Sequence, residues 1–422
     1  MEKVSNKPIT TKSWLQRLKD ESWEAELLVS AIAIFGTFQL FHIIDWWANS
    51  LIDVLNPSQY KIGYFIVFFG LIAISILASM FIIHFFLRAY WIGLVGLNSV
   101  FPDYSIEDSA YSKIYTEKIL TILPKLKDSI EKVDELCSVI FSVAFTFLLM
   151  YSYVAISSSL YLLIYNLLSQ YIPSQILLIP AYLALGLLIV QLFFSIIANL
   201  KQNKNNRKLQ IINFRIVRIV SIISYGPLYK SILQVSMIFG SNFKKKKSIV
   251  YLIFLFLAAG IVLSSYKIKN TNILYLINKD IYFDNTKTYA TYYKSNNKNN
   301  TFLLTPEIES DIIDKNIIKV FIPIFNHERK QREEICSPFN EDSKIDQKEA
   351  YLKCYHAYNF VYLNDEKVSV DFLKYYHPRT NQFGIIGYVP LTKTKTGRNI
   401  LEIRKYFGES TTTKWSIPFY TN

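Results

Sequence analysis

Charge is scarce in this chain. Of its 422 residues only 19% are charged, where a soluble domain carries about 25%. The mean hydropathy is +0.21. With several uncharged runs of about 20 residues, long enough to cross a bilayer, that deficit excludes an ordinary soluble enzyme. Disorder needs low hydrophobicity and is excluded by a 51% hydrophobic content. Cysteine is nearly absent, with 3 residues, which excludes a disulfide-dense scaffold and a cysteine-rich zinc site. Catalytic signatures are missing as well. No G-x-S-x-G, H-E-x-x-H, glycine-rich phosphate loop or S-x-x-K occurs in a suitable context. Glycine and alanine are few beside Ile, Lys, Asn, Tyr and Phe, a bias that reads as genomic base composition rather than function.

What is present reads as a multi-pass membrane protein. Five runs are long and apolar enough to span, over 27–47, 63–87, 139–167, 176–200 and 248–266. The first lies behind a polar tail and lacks a small-x-small cleavage site, so it is no cleavable signal. The expected fold is an α-helical polytopic membrane region of about five transmembrane helices plus interfacial helices, over 1–266. A β-rich, sandwich-like extracytoplasmic domain follows, over 267–422.

The formal net charge is +13. In a soluble protein that excess would suggest nucleic acid, but here it sits beside the apolar runs and sets orientation instead. Lys3, Lys7, Lys12, Arg17 and Lys19 precede the first run, whereas the link to the second holds only Lys61. Lys113, Lys118, Lys125, Lys127 and Lys132 follow the second run, and the link over 169–175 holds no charge. Lys201, Lys204, Arg207 and Lys208 follow the fourth. Basic and neutral links alternate, which places the N-terminus in the cytoplasm and the C-terminal domain outside a bacterial-type inner membrane.

The stretch 209–240 is apolar, but Arg215, Arg218 and Lys230 interrupt it and Gly226-Pro227 breaks it. A central Arg or Lys costs about 2.5–3.5 kcal/mol on the insertion scale. Two basic amphipathic helices in the inner interface are expected there. Arg215, Arg218 and the run Lys244, Lys245, Lys246 and Lys247 are the candidate contacts to anionic lipid at the cytoplasmic face, at about 1 kcal/mol each. Ordinary positive-inside anchoring is the blander account of the same residues.

Ionisable residues inside spans are the first functional candidates. His42 and Asp45 share one face of the first span, and His84 and Arg88 share one face of the second. His42 and Asp45 fall in the outer turn beside Trp46 and Trp47, and His84 and Arg88 in the inner turn beside Tyr90 and Trp91. Side chains placed there are expected to snorkel to water rather than form a proton relay.

Beyond 267 the pattern becomes strand-like, with apolar β-rich runs at 318–325, 358–363, 383–391 and 399–404 joined by Gly, Asn and Asp turns. A last strand at 416–420 is expected at a sheet edge because of Pro418. No histidine here has a second ligand at metal spacing, and no cofactor is implied. Cys336 and Cys354, both outside on this orientation, are expected to form a disulfide across a polar loop, with Cys137 free on the reducing side. The resulting expectation is an outward binding, sensing or scaffold domain on a membrane anchor, without catalytic residues. Its partners would be lipid, a protein meeting the outer domain and a further copy of the chain, but not nucleic acid. The alternatives are a transporter or channel subunit using His42 and Asp45, and a membrane enzyme acting on lipid or envelope substrates.

Overall fold

The computed structural model describes residues 14–101, 110–169, 171–242, 247–278, 288–296, 302–340, 347–392, 394–408 and 412–422. The chain divides into two compact units. The first takes 1–43 and 69–267, the second 44–68 and 268–422. The boundary expected at 267 thus misses a piece, because the turn between the first two long helices belongs with the C-terminal region.

Eight α-helices carry the described part of 14–268: α1 (Trp14–Val54), α2 (Tyr60–Val100), α3 (Lys113–Leu120), α4 (Leu126–Leu168), α5 (Ser174–Asn199), α6 (Arg207–Tyr225), α7 (Tyr229–Asn242) and α8 (Lys247–Ile268). Five described stretches are long and apolar enough to cross a membrane: Glu24–Val54, Pro57–Val100, Leu126–Leu168, Gln175–Asn199 and Arg207–Ile238. The apolar part described within the expected fifth span, Ile253–Ile268, is shorter. Arg207–Ile238, in the region expected to lie at the interface, is not one continuous helix. Gly226 adopts φ 49° and Pro227 opens a 3-10 turn, so α6 stops and α7 starts anew. Proline lacks the N–H that would continue the ladder.

In the first unit α2 and α4 run antiparallel. His84 lies 5.2 Å from Phe141 and Phe81 lies 5.4 Å from Phe145, centroid to centroid. Ile76, Leu77, Met80, Phe81, Ile140, Ala144 and Phe256 form their buried cluster. Gly260 of α8 packs directly on Ile76 of α2, where a Cβ would collide. Small residues let helix backbones approach closely in this way.

The second unit holds two sheets. Strands β1 (Glu307–Ile308), β3 (Ile317–Pro323), β7 (Phe383–Pro390) and β6 (Phe372–Tyr376) form one antiparallel sheet, in the order β1-β3-β7-β6. The other has the order β2-β9-β8-β4-β5, from β2 (Ile312–Ile313), β9 (Thr412–Thr421), β8 (Gly397–Tyr406), β4 (Asn359–Leu363) and β5 (Glu366–Val368). Here β2 pairs parallel with β9 and the rest are antiparallel. Asn364 and Asp365 take φ 49° and 66°, as the two-residue turn between β4 and β5 requires. Both sheets contribute to one cluster, including Val320, Ile385, Leu401, Ile403, Trp415 and Phe419.

The second unit departs from the sequence expectation at two points. The polar stretch after Cys336 is not a bare loop: α9 (Arg329–Asn340) and α10 (Gln347–Tyr358) carry the two cysteines. Cys336 and Cys354 are disulfide-bonded, with Cα atoms 5.0 Å apart, and both are buried in the shared cluster. Strand β9 is not the outermost strand, since β2 flanks it. However, β2 reaches only Tyr420 and Thr421, so Pro418 still needs no ladder partner on that side. The Tyr293 hydroxyl donates to the Pro418 carbonyl there at 2.5 Å.

Candidate functional site

The sequence candidates separate in space. His84 and Arg88 are 0% and 1% exposed, so they do not snorkel to water. Arg88 Nη1 donates to Asp134 Oδ1 of α4 at 2.7 Å, and Nη2 donates to Glu26 of α1. Its guanidinium also lies 5.0 Å over the Trp91 ring. His84 Nδ1 is hydrogen-bonded to Ser30 Oγ at 2.7 Å, and its Nε2 stands 3.9 Å from Glu26. Three helices thus converge on one guanidinium. Such a network is expensive to bury and strongly destabilising to break, which suits a positional lock. Spacing within α2 revealed the cation but neither carboxylate, because both come from other helices.

His42 is exposed, whereas Asp45 is half-buried. They lie roughly three to five turns along α1 from Ser30 and Glu26. Arg215 and Arg218 are exposed on α6. Lys244, Lys245 and Lys246 fall outside the described residues, and Lys247 opens α8.

The second unit contains a site that sequence reasoning missed. Asp53, in the last turn of α1, accepts the Asn326 backbone N–H at 2.9 Å and its side-chain amide as well. His327 Nδ1 meets the Asp53 carbonyl at 3.2 Å and its ring stacks on Phe325. The Tyr60 hydroxyl donates to the Ile52 carbonyl at 3.0 Å, and its ring stands edge-on to His327. Asn272 Nδ2 bridges Asn49 Oδ1 at 2.8 Å and the Phe302 carbonyl at 3.2 Å. Behind this clasp Lys405, 1% exposed, donates to Glu328 at 2.7 Å and to the Pro323 carbonyl at 2.6 Å. Burial pulls both the Lys405 ammonium and the His327 imidazole below their ordinary ranges.

Beside the clasp opens a cleft of about 630 Å³. Trp46, Asn49, Ser50 and Asp53 form one wall from α1. Facing them are Asn326, Arg332, Tyr376, residues 380–382 of the β6–β7 loop, and Phe383 at the start of β7. That loop is pinned from behind. Glu307 receives His377 Nε2 at 3.0 Å and Arg379, while Gln382 and Leu303 exchange two hydrogen bonds at 2.9 and 3.0 Å. Burial holds the His377 imidazole below its usual range despite the Glu307 carboxylate. The Thr380 hydroxyl meets His377 Nδ1 at 3.3 Å. Carboxylate, imidazole and hydroxyl thus stand in a row, but the contacts with Glu307 and within the turn serve to fix the loop. Among the described residues no group of three or more His, Cys, Asp or Glu is placed to hold a metal ion.

The lining combines aromatic faces (Trp46, Phe302, Tyr376, Phe383) with amides, the hydroxyls of Ser50 and Thr380, a carboxylate and one guanidinium. Aromatic faces supply apolar contact and the polar groups supply orientation, the usual division of labour in a small-molecule site. No family model matches this chain, and no curated protein or solved structure was found to resemble it.

Proposed function

We propose that this is a polytopic inner-membrane protein whose outward unit binds a small, polar, sugar-like ligand and reports its occupancy through α1. The N-terminus lies in the cytoplasm and the sandwich-like unit outside, on the reading of basic and neutral links. The observation that carries the proposal is the cleft beside Asp53, because one wall belongs to a helix that continues into the apolar bundle. A ligand held between Trp46 and Tyr376 would fix the end of α1 against the β-rich region, and a ligand acts on an equilibrium only through such differential contact. A sugar fits the lining, since its C–H faces suit aromatic rings and its hydroxyls suit Asn49, Asp53, Asn326 and Asn381.

The test is thermal unfolding of the full-length protein in detergent micelles with a panel of amino sugars and cell-wall glycan fragments. At least one member should raise the midpoint in the native protein and not in Trp46→Ala. An unchanged midpoint across the panel at millimolar concentration would refute the proposal. Solute movement is the second reading, and the broken helix at Gly226 favours it over a route through the exposed His42.

A further inference from the structure

We propose that α6 and α7 form a re-entrant hairpin that enters and leaves the bilayer on the basic face of the bundle. The groove between α6 and α5 is then a blind, water-filled vestibule for small anions, open to that face. This rests on reading the long apolar helices as membrane spans, and it replaces the surface-lying placement expected from the sequence for 209–240.

The path follows from register. α6 runs back along α5: Gln210 Nε2 donates to the Ala198 carbonyl at 2.9 Å, and Ser195 Oγ donates to Asn213 Oδ1 at 3.3 Å. Farther along, a groove of about 350 Å³ joins Leu188, Gln191 and Leu192 to Val220, Ser221, Ser224 and Tyr225. Gly226 then abuts the Tyr153 ring. Tyr153 lies two turns beyond Phe145, which packs on Phe81, so the break stands level with about position 73 of α2. That level is deep inside the apolar stretch Pro57–Val100.

The return follows from length. Gly260 of α8 meets Ile76 of α2, and Lys267 reaches the Phe41 ring at 5.1 Å, so α8 is antiparallel to α2. Lys247, at its start, therefore lies about 24 Å below the break at 1.5 Å per residue. If α7 continued outward it would climb a further ~21 Å. The link from Asn242 to Lys247 would then have to cover about 45 Å, and five residues reach at most ~18 Å. α7 must descend.

Chemistry follows from the lining. Non-helical backbone at membrane depth survives only when buried in protein or facing a water-filled cavity. Pro227 cannot donate to the Ile223 carbonyl, and the groove beside the break presents Gln191, Ser195, Ser221 and Ser224. Its lining holds no carboxylate, and Lys201, Lys204, Arg207 and Lys208 lie on or beside the link that joins α5 to α6. A cleft framed by one sign of charge concentrates ions of the other.

The experiment is thiol labelling of the full-length protein in right-side-out and inverted vesicles, with buried Cys137 and the disulfide left in place. Ser221→Cys and Ser224→Cys are compared with Lys208→Cys and Lys269→Cys as markers of the two faces. Both groove cysteines should react with an impermeant anionic methanethiosulfonate from the Lys208 side only, on the order of tenfold faster than with a cationic reagent of similar size. Reaction from the Lys269 side would mean that the segment crosses, and would overturn the hairpin. No reaction while Lys208→Cys reacts would mean a dry, packed groove and would overturn the vestibule. A faster cationic reagent would overturn the anion assignment. Labelling of both markers from one side would instead overturn the span reading itself.

Discussion

Asp53 accepts the backbone N–H of Asn326 at 2.9 Å across 273 residues of sequence. It caps the short 3-10 turn Asn326–Glu328, which leads into α9. Loss of a cap acceptor costs about 0.5–2 kcal/mol. Asp53→Ala should therefore lower the thermal midpoint of the full-length protein, and Asp53→Asn should lower it less. Equal losses would show that the acceptor oxygen is not what matters.

Arg88 is the shared partner of Glu26 and Asp134. Arg88→Met alone leaves two half-buried carboxylates without their cation and should cost at most the ~3–5 kcal/mol of a fully buried pair. Adding Glu26→Gln should return part of that loss, since neighbours in one network are not additive. A double variant worse than the single by the full cost of Glu26→Gln would show independent contributions. Unfolding in denaturant, followed by circular dichroism, gives the comparison.

His327 and His377 are both held below the ordinary imidazole range by burial. The unfolded chain then binds protons more readily, so their contribution is present above pH ~6.5 and is lost as the pH falls. The midpoint at pH 5.5 should lie below that at pH 7.5, and His377→Gln should flatten the difference. A midpoint that rises on acidification would contradict the burial account.

The cysteine pair offers a covalent test. Without reductant, a maleimide should leave Cys336 and Cys354 unmodified in the unfolded chain, and after reduction it should modify both. The bridge closes 18 residues of sequence, which corresponds to about 3 kcal/mol by chain entropy. Cys336→Ser with Cys354→Ser should destabilise the outer unit by that order, read as the fall in its unfolding midpoint in denaturant.

Legibility in the sequence followed periodicity. The apolar runs at 27–47, 63–87, 139–167 and 176–200 all lie in long helices, and the β-rich runs at 318–325, 358–363, 383–391 and 399–404 became β3, β4, β7 and β8. Each is a local signal, carried by uncharged length or by β-branched and aromatic clusters. Strand β6 was missed because Lys374 interrupts its apolar residues, and α9 because most of its residues are polar or charged. The cleft was missed for another reason. Its lining joins Trp46 and Asp53 to residues beyond 300, and no spacing rule links positions so far apart. His84 and Arg88 were found by helical spacing, but their burial depended on Glu26, Ser30 and Asp134, whose proximity only tertiary packing creates.

The membership of 44–68 in the second unit has a practical edge. A secreted fragment beginning at 267 would lose Asp53 and Tyr60 and bare the surfaces of Tyr275, Asn326 and His327 that they contact. Such a fragment should come out sticky and aggregation-prone however well its sheets form. Splicing 44–68 ahead of 268 as a short helical hairpin should give the better-behaved soluble protein for crystallisation or ligand screening.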